Sequence, residues 1–540
     1  MYEKTNKCGY TIVGEYANIK ISWKYNVNAI WMIGDRSNIR IKRVGKYMTN
    51  EAEQKYLKLV DDVIAQGPYS ADWGSLMESK IPEWFNRERL GIFIHWGLYS
   101  VPANSNEWYS RNMYIKGMPA YEHHIKTYGP QAEFGYKDFI PMFKAEQFDP
   151  AEWVRLFKKA GAGYICPVAE HHDGFQMYES ELSHWNAKEM GPKRDIVGSL
   201  KDEAEKQGLV FCTSSHRAEH WFFMGHGKEF DSDIKDPMQK GDFYWPAMPE
   251  PDNQDLFSKP YPTEEYLDDW LARTAELIVK YRPKFLYFDW WLQHEAFKPY
   301  LKKLAAFYYN CGAQWGMDVQ ICYKHDAMMF GSGIVDVERG GFAEAKPYRW
   351  QTDTAVARNS WCYTDTLDYK SSEEIIQTLV DVVSKNGNLL LNIGPKADGT
   401  IPDGDRRILE NLAAWMKDNK EAVTGVKVWR KSMEGPVCNK EGQFQDQQAL
   451  VYTEQDFRFT AGHGNIYACC MKCPADGRFV VQSLRDSDDQ NVPEFHGIID
   501  GVDILGFDGD VEWKIGAEGL VVQAKGIKSD FPVVIRVHVE

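Results

Sequence analysis

One unit recurs along this chain: a short apolar run that ends in polar and aromatic residues. Gly91-Ile92-Phe93-Ile94 leads into His95-Trp96-Gly97, and Tyr164-Ile165-Cys166-Pro167-Val168 into Glu170-His171-His172-Asp173-Gly174-Phe175. Gly208-Leu209-Val210-Phe211-Cys212 leads into Ser214-Ser215-His216-Arg217, and Phe285-Leu286-Tyr287-Phe288 into Asp289-Trp290-Trp291. Val319-Gln320-Ile321-Cys322 precedes Tyr323-Lys324-His325-Asp326, and Gly333-Ile334-Val335 precedes Asp336-Val337-Glu338-Arg339. Asn388-Leu389-Leu390-Leu391 ends in Asn392-Ile393-Gly394-Pro395. Short apolar runs read as strands buried on both faces. A (β/α)8 barrel presents polar and aromatic clusters at the C-terminal ends of such strands, on its active face.

Helical patterns fall between the runs. Asp149-Pro150 opens one that reaches Lys159 and stops at Gly161; Asp195 caps another that Gly208 closes. Thr263-Glu264-Glu265 starts a longer helix ended by Pro283, and Ser371-Ser372-Glu373-Glu374 starts one running toward Gly387. These are ordinary start and stop signals. Alternating strand and helix predicts an α/β fold with a parallel sheet. A doubly wound sheet is the rival, but Gly91 and Gly97 lack the glycine spacing of a dinucleotide-binding turn.

The character changes after Lys420. Val426–Trp429, Ala449–Tyr452, Phe457–Thr460, Phe479–Gln482, Leu520–Gln523 and Val533–Val537 read as short strands, with turn signals such as Asp476-Gly477 and Asp508-Gly509 between them. They predict an antiparallel β-sandwich. A chain of 540 residues is too long for one core. The expected division is an N-terminal extension over 1–80, a (β/α)8 (TIM-like) catalytic domain over 81–422 and a C-terminal β-sandwich over 423–540.

The net charge is −15 and no long basic stretch occurs, which argues against a nucleic-acid partner. No segment has the length and apolarity of a membrane-spanning helix, and the first 50 residues lack a secretory leader pattern, so a cytoplasmic location is expected. Cys166, Cys212 and Cys322 lie in strand-like runs and read as small core residues. Cys469-Cys470-Met471-Lys472-Cys473 fits tetrahedral zinc motifs poorly and reads as the continuation of the strand Asn465–Ala468.

Tyr287-Phe288-Asp289-Trp290-Trp291 carries the sharpest chemical signal. A carboxylate ending a buried strand needs partners or a shifted pKa, and flat indole faces suit the apolar face of a sugar ring. The bland alternative is an Asp that caps the next helix.

In their order, the motifs resemble the α-L-fucosidases of glycoside hydrolase family 29. They are Trp84-Phe85, Gly91–Gly97, Glu107-Trp108-Tyr109, His171–Phe175, Lys193-Arg194-Asp195, the run to Asp289, Asn386–Pro395 and Asp398-Gly399-Thr400, and the likeness extends over about residues 80 to 540. The resemblance implies a barrel with a C-terminal β-sandwich, no cofactor, no metal, and a fucosylated glycan or glycoside as the small-molecule partner. It implies retaining hydrolysis through two carboxyl groups, roughly 5–5.5 Å apart in such enzymes. Asp289 matches the family nucleophile. His95, Glu107, Trp108, His171 and His172 match residues that grip the sugar, with His216 and Tyr287 beside them; Trp361 matches an aromatic facing the C5 methyl of fucose. The acid/base varies in position within the family. Glu338 is the choice here because it ends a later barrel strand; Glu344 is the runner-up, and an exposed ion pair with Arg339 is the structural alternative for Glu338. Of the adjacent pair His171-His172, extended geometry would let only one face the sugar. Lys324 or Tyr323 stands near a position often held by a sugar-binding Arg, whose planar fork a Lys cannot reproduce.

Two rival functions stay open: a metal-dependent barrel hydrolase, since histidines and an Asp at strand ends also describe a metal site, and a catalytically inactive fucose-binding protein. The long connection from Trp221 to Pro262 is expected to shape the leaving-group side of the site, to pack on a neighbouring subunit, or to cover the barrel's outer helices. Oligomeric state stays open, a homo-oligomer included.

Overall fold

The computed structural model describes residues 51–486 and 495–540 in full. The N-terminal stretch read above for a leader lies outside them. Eight parallel strands form a closed barrel: β1 (Leu90–Ile94), β2 (Tyr164–Glu170), β3 (Val210–Phe211 and Thr213–Ser215), β4 (Phe285–Phe288), β5 (Gln320–Lys324), β6 (Ile334–Asp336), β7 (Trp350–Ala355) and β8 (Gly387–Ile393). Each strand pairs with its neighbours in sequence, and β8 pairs with β1, Leu389 opposite Leu90 and Ile393 opposite Ile94.

Strand periodicity sorts the apolar residues into two cores. Phe93, Tyr164, Cys166, Val168, Cys212, Phe285, Tyr287, Cys322 and Leu390 fill the barrel interior. Their alternates Ile92, Ile165, Leu286, Ile321 and Leu389 face the surrounding helices. Phe85, on the short helix Glu83–Arg87 that precedes β1, stacks on Phe285 at the start of β4 (centroids 5.7 Å apart) and plugs the barrel's lower end. The expected helices are present with the expected caps. Asp149 accepts from the Ala151 and Glu152 N–H groups to start Pro150–Lys159, Asp195 accepts from Gly198 N–H to start Ile196–Gln207, Thr263 caps Glu264–Tyr281 and Ser371 caps Ser372–Ser384. The helix Gly45–Gln66 packs on Glu264–Tyr281 and Lys298–Trp315.

Two features depart from the sequence reading. The strand β7 gave no apolar signal, because Gln351, Thr352, Asp353 and Thr354 occupy its interior; all are buried. Gln351 and Asp353 are satisfied inside the barrel, Gln351 Oε1 accepting from the Tyr164 hydroxyl (2.9 Å) and Asp353 Oδ2 from the Tyr287 hydroxyl (2.8 Å). The second departure is that no helix separates β5 from β6, or β6 from β7. Residues 438–452 of the C-terminal region cover that gap instead. Gly442 bridges to Gly341, and Asp446 receives bonds from Lys370 and Thr354 at its carboxylate. Phe444 N–H donates to Glu338 O (2.9 Å) and Gln445 N–H to Arg339 O (2.7 Å), and Ala449–Tyr452, expected as a strand, is not one.

The C-terminal region forms two antiparallel sheets. Strands β9 (Lys427–Glu434), β10 (Phe457–Gly462), β11 (Asn465–Cys470), β12 (Arg478–Val481), β13 (Ile499–Ile504), β14 (Val511–Gly516), β15 (Gly519–Ala524) and β16 (Val533–Val539) form sheets ordered β9-β10-β11-β16-β13 and β12-β15-β14. Phe457, Phe459, Ile466, Phe479, Val481, Leu520, Val522 and Ile535 fill the space between them. Cys469 and Cys470 belong to β11 as buried free thiols. The two-sheet unit docks on the helix Ser372–Ser384, where the Arg458 guanidinium binds Asp381, and Trp415 Nε1–H donates to Pro532 O (2.8 Å). Among the described residues no helix is long and apolar enough to cross a membrane.

Candidate active site

The C-terminal ends of the barrel strands surround a cavity of about 400 Å³, within the range of small-molecule sites. His95 follows β1, His171 and His172 follow β2, His216 follows β3 and Asp289 follows β4; Glu338 stands two residues beyond β6. These residues, with Glu107, Trp108, Tyr287 and Trp361, all line this one cavity. Glu344 is exposed and is not part of the lining, so the runner-up is not placed at the site.

Asp289 sits between two imidazoles. His216 Nδ1–H donates to its Oδ2 at 2.9 Å, and His172 Nε2 lies 3.5 Å from the same atom. The Asp289 side chain is 16% exposed. Burial alone would raise its pKa, but the two histidines outweigh burial and hold the carboxyl well below the usual range. Ser214 Oγ lies 2.9 Å from His216 Nε2, so with Nδ1–H on Asp289 the hydroxyl donates and both ring nitrogens are used. Burial lowers the His216 pKa and keeps this neutral form. His172 differs. Burial opposes its charge, yet Glu219 (4.0 Å from Nε2) and Asp289 raise it to about 9, while its Nδ1–H donates to His216 O at 2.8 Å. Of the two imidazoles beside Asp289, His172 is the one whose surroundings favour the charged form.

Glu338 has the opposite environment. It is 8% exposed, and burial, then Asp353 and Asp289, push its pKa up to about 7 against the pull of Lys324. Trp290 Nε1–H donates to its Oε2 at 2.6 Å, and Lys324 Nζ lies 3.3 Å away. Arg339, the partner of Glu338 in the alternative reading, is elsewhere: its guanidinium lies over the Trp361 ring, 4.4 Å from the centroid. Lys324 does not reach the cavity. It is fully buried beneath it, donating to Asp336 Oδ1 (2.7 Å) and Asp353 Oδ1 (2.9 Å). The residue expected near a sugar-binding position is thus an internal counter-ion.

The remaining walls are held by backbone and amide bonds. His95 Nδ1–H donates to Asn392 Oδ1 (2.6 Å), and Asn392 Nδ2–H in turn holds Trp361 O (2.6 Å). Glu107 Oε2 accepts from Trp361 N–H at 2.9 Å, and burial raises its carboxyl. His171 and His172 both face the cavity, contrary to the alternation argument. Strand β2 ends at Glu170, so the pair lies on the turn beyond it, with ring centroids 4.3 Å apart. Arg217 clamps that region by donating to Glu170 Oε1 (2.5 Å) and Asp269 Oδ2 (2.7 Å).

Sequence reasoning passed over Glu219, Asp353, Gln254 and Phe444, which also line the cavity. Glu219 lies on a short turn three residues beyond His216, and burial raises it to about 7. Its place just past a strand end was a legible signal. Phe444 carried none, because it comes from a loop more than a hundred residues distant in sequence from Glu338 and Trp290. Of the connection from Trp221 to Pro262, Gln254 reaches the cavity, while Phe243 packs on Tyr136 and Trp185, and Trp245 on Tyr266.

By distance, two overlapping groups of side chains among the described residues could hold a metal ion: His95 with His171 and His216, and His172 with His216 and Asp289. His216 belongs to both, and both its nitrogens already have protein partners. Neither group includes the cysteine cluster.

Comparison with known proteins agrees with this architecture. The family model for alpha-L-fucosidase matches residues 57–421. The chain is 28% identical to the rat tissue alpha-L-fucosidase, covering 83% of this chain and 87% of that protein. It is 29% identical to the human tissue enzyme, covering 83% and 86%. The crystal structure of the Thermotoga maritima alpha-fucosidase superposes with a TM-score of 0.67 at 29% identity, over 87% of this chain and 100% of that one; the same protein is known in complex with fucose, with a TM-score of 0.66 at 28% identity over 87% of this chain and 100% of that one. With strands, helices and strand-end residues in this order, and a family model spanning the whole barrel, the chain belongs to the alpha-L-fucosidase family of glycoside hydrolases.

Proposed function

We propose that the protein is a retaining exo-α-L-fucosidase that works by double displacement, with Asp289 as nucleophile and Glu338 as acid/base. One observation carries the reading. Of the carboxyl groups that line the cavity, Asp289 and Glu338 have surroundings that drive their pKa values apart, Asp289 well below the usual range and Glu338 up to about 7. Such divergence is how one site supplies both an ionised and a protonated carboxyl at neutral pH.

In the first step Asp289 Oδ attacks the anomeric carbon as the bond to the leaving oxygen breaks, and Glu338 gives that oxygen its proton. In the second, Glu338, now a carboxylate, takes a proton from water, whose oxygen displaces Asp289 and releases fucose. His216 and the His172 cation keep Asp289 ionised before attack. Lys324 keeps the Glu338 carboxyl from rising further, so it can both give and regain a proton near neutrality. Neutral His95 and His171, with Glu107, would bind the sugar hydroxyls, and Trp361, beside His95 at 5.3 Å, would cover the C5 methyl.

Release of 4-nitrophenol from 4-nitrophenyl α-L-fucoside tests the reading. Turnover by the wild type that collapses in Asp289→Ala supports it. Azide restoring turnover to Glu338→Ala, with a fucosyl azide of inverted anomeric configuration relative to the covalent intermediate, supports the second role. Full activity in Asp289→Ala would overturn the nucleophile assignment, and binding of fucose without turnover of any fucoside would leave a binding protein.

A further inference from the structure

The wall of the cavity next to Glu338 is aromatic and is assembled from two distant parts of the chain. Trp290 follows Asp289 at the end of β4. Its indole N–H is spent on Glu338 Oε2 at 2.6 Å, which fixes the ring's orientation. Phe444 lies nearly parallel to it, with centroids 6.1 Å apart and 12° between planes. That spacing leaves no room for a ring between them, which would need about 7–8 Å, so the two rings belong to one wall rather than to a slot. Phe444 is 49% exposed, an unusual state for a phenylalanine lining a cavity. Its backbone is held at φ 55°, in the left-handed region. A non-glycine residue persists there only when surrounding structure demands it. Here the demand comes from the acid's own strand end: Phe444 N–H donates to Glu338 O at 2.9 Å and Gln445 N–H to Arg339 O at 2.7 Å. The segment 438–446 is thus anchored to the residue that would protonate the leaving group, and it presents a ring to solvent at that point.

We infer that Trp290 and Phe444 form the leaving-group subsite, a platform for an aglycone with a flat apolar face, either an aryl group or a pyranose lying on its C–H face. The inference rests on the fucosidase reading above, because the leaving oxygen must lie beside Glu338 and whatever it carries must then lie against these rings. It makes the loop of the C-terminal β-sheet unit a specificity element rather than mere cover for the missing barrel helices. Trp290 serves both ends of the subsite, positioning Glu338 through its nitrogen and the aglycone through its face.

The test compares Phe444→Ala with wild type and Phe444→Tyr on four substrates: 4-nitrophenyl α-L-fucoside, α-L-fucosyl fluoride, methyl α-L-fucoside and a fucosyl-galactose disaccharide. The nitrophenyl ring can stack and its departure needs little acid help; fluoride and methyl cannot stack, and methoxide departure depends on Glu338. The expected result is a fall in kcat/KM of about three- to ten-fold on the nitrophenyl substrate, with fluoride and methyl substrates unchanged and Phe444→Tyr close to wild type. An equal fall on the disaccharide assigns the platform to a sugar; a fall on the aryl substrate alone assigns it to an aromatic aglycone. A matching loss on methyl α-L-fucoside would overturn the inference by showing that Phe444 acts through Glu338, and unchanged rates on both the nitrophenyl substrate and the disaccharide would overturn it outright. A wild type inactive on all four substrates would instead defeat the fucosidase reading itself.

Discussion

The indole N–H of Trp290 donates to Oε2 of Glu338 at 2.6 Å, tying the residue after Asp289 to the carboxyl that stands beyond β6. This bond favours the charged form of Glu338. Trp290→Phe keeps a flat face but removes the donor, so the Glu338 pKa rises. The alkaline limb of the kcat/KM profile on the aryl fucoside is expected to move to higher pH. A limb that stays in place would show that Glu338 is not the group titrating there.

The wild-type profile follows from the two carboxyls. Under the proposed mechanism, activity requires Asp289 ionised and Glu338 protonated. It should therefore fall as pH rises through about 7, the value to which burial brings Glu338, and its acid limb should lie below the ordinary carboxylate range. His172→Asn removes a cation beside Asp289, and its acid limb should shift toward neutrality. Initial rates across pH for both proteins check the sign.

His172 also links pH to stability. Its pKa of about 9 lies above the ordinary 6.5. The stability its charge contributes is thus fully present below pH 6.5 and is lost as pH rises toward 9. Thermal melts between these limits should show a smaller decline for His172→Asn than for the wild type.

Lys324 is fully buried with Asp336 and Asp353. Lys324→Met leaves two carboxyls without their cation and should cost about 3–5 kcal/mol of folding stability, measurable by denaturant titration. Loss of activity with unchanged stability would instead place Lys324 in the chemistry.

Both candidate metal groups depend on His216, whose nitrogens are bonded to Asp289 and Ser214. Prolonged treatment with a chelator should leave turnover unchanged. Loss of activity that zinc or another divalent ion restores would favour the metal-dependent reading.

Much of the barrel was legible in one dimension. The seven apolar runs, Asp149, Asp195, Thr263 and Ser371 as caps, and the strand-end positions of His95, His171, His172, His216, Asp289 and Glu338 all declared themselves locally, because burial on both strand faces and helix-end hydrogen bonding are properties of short segments. Strand β7 did not, because its polar residues are compensated by partners on other strands, Tyr287 and Lys324. Nor could alternation along a strand place both His171 and His172, since it took the fold to show that β2 ends at Glu170 and the pair lies on the turn beyond it.

The sequence by itself determined the alternation of elements, the ring of chemical groups at one end of the barrel, and the family to which the chain is similar. Only the tertiary structure decided which carboxyl has its pKa lowered and which has it raised, that Lys324 is a counter-ion and not a ligand, that Glu219 stands behind His172, and that Phe444 joins Trp290. The reason is physical. Secondary structure follows from hydrophobic period and local hydrogen bonds, whereas a pKa or a binding wall depends on desolvation and on charges and rings brought within a few ångströms from remote parts of the chain.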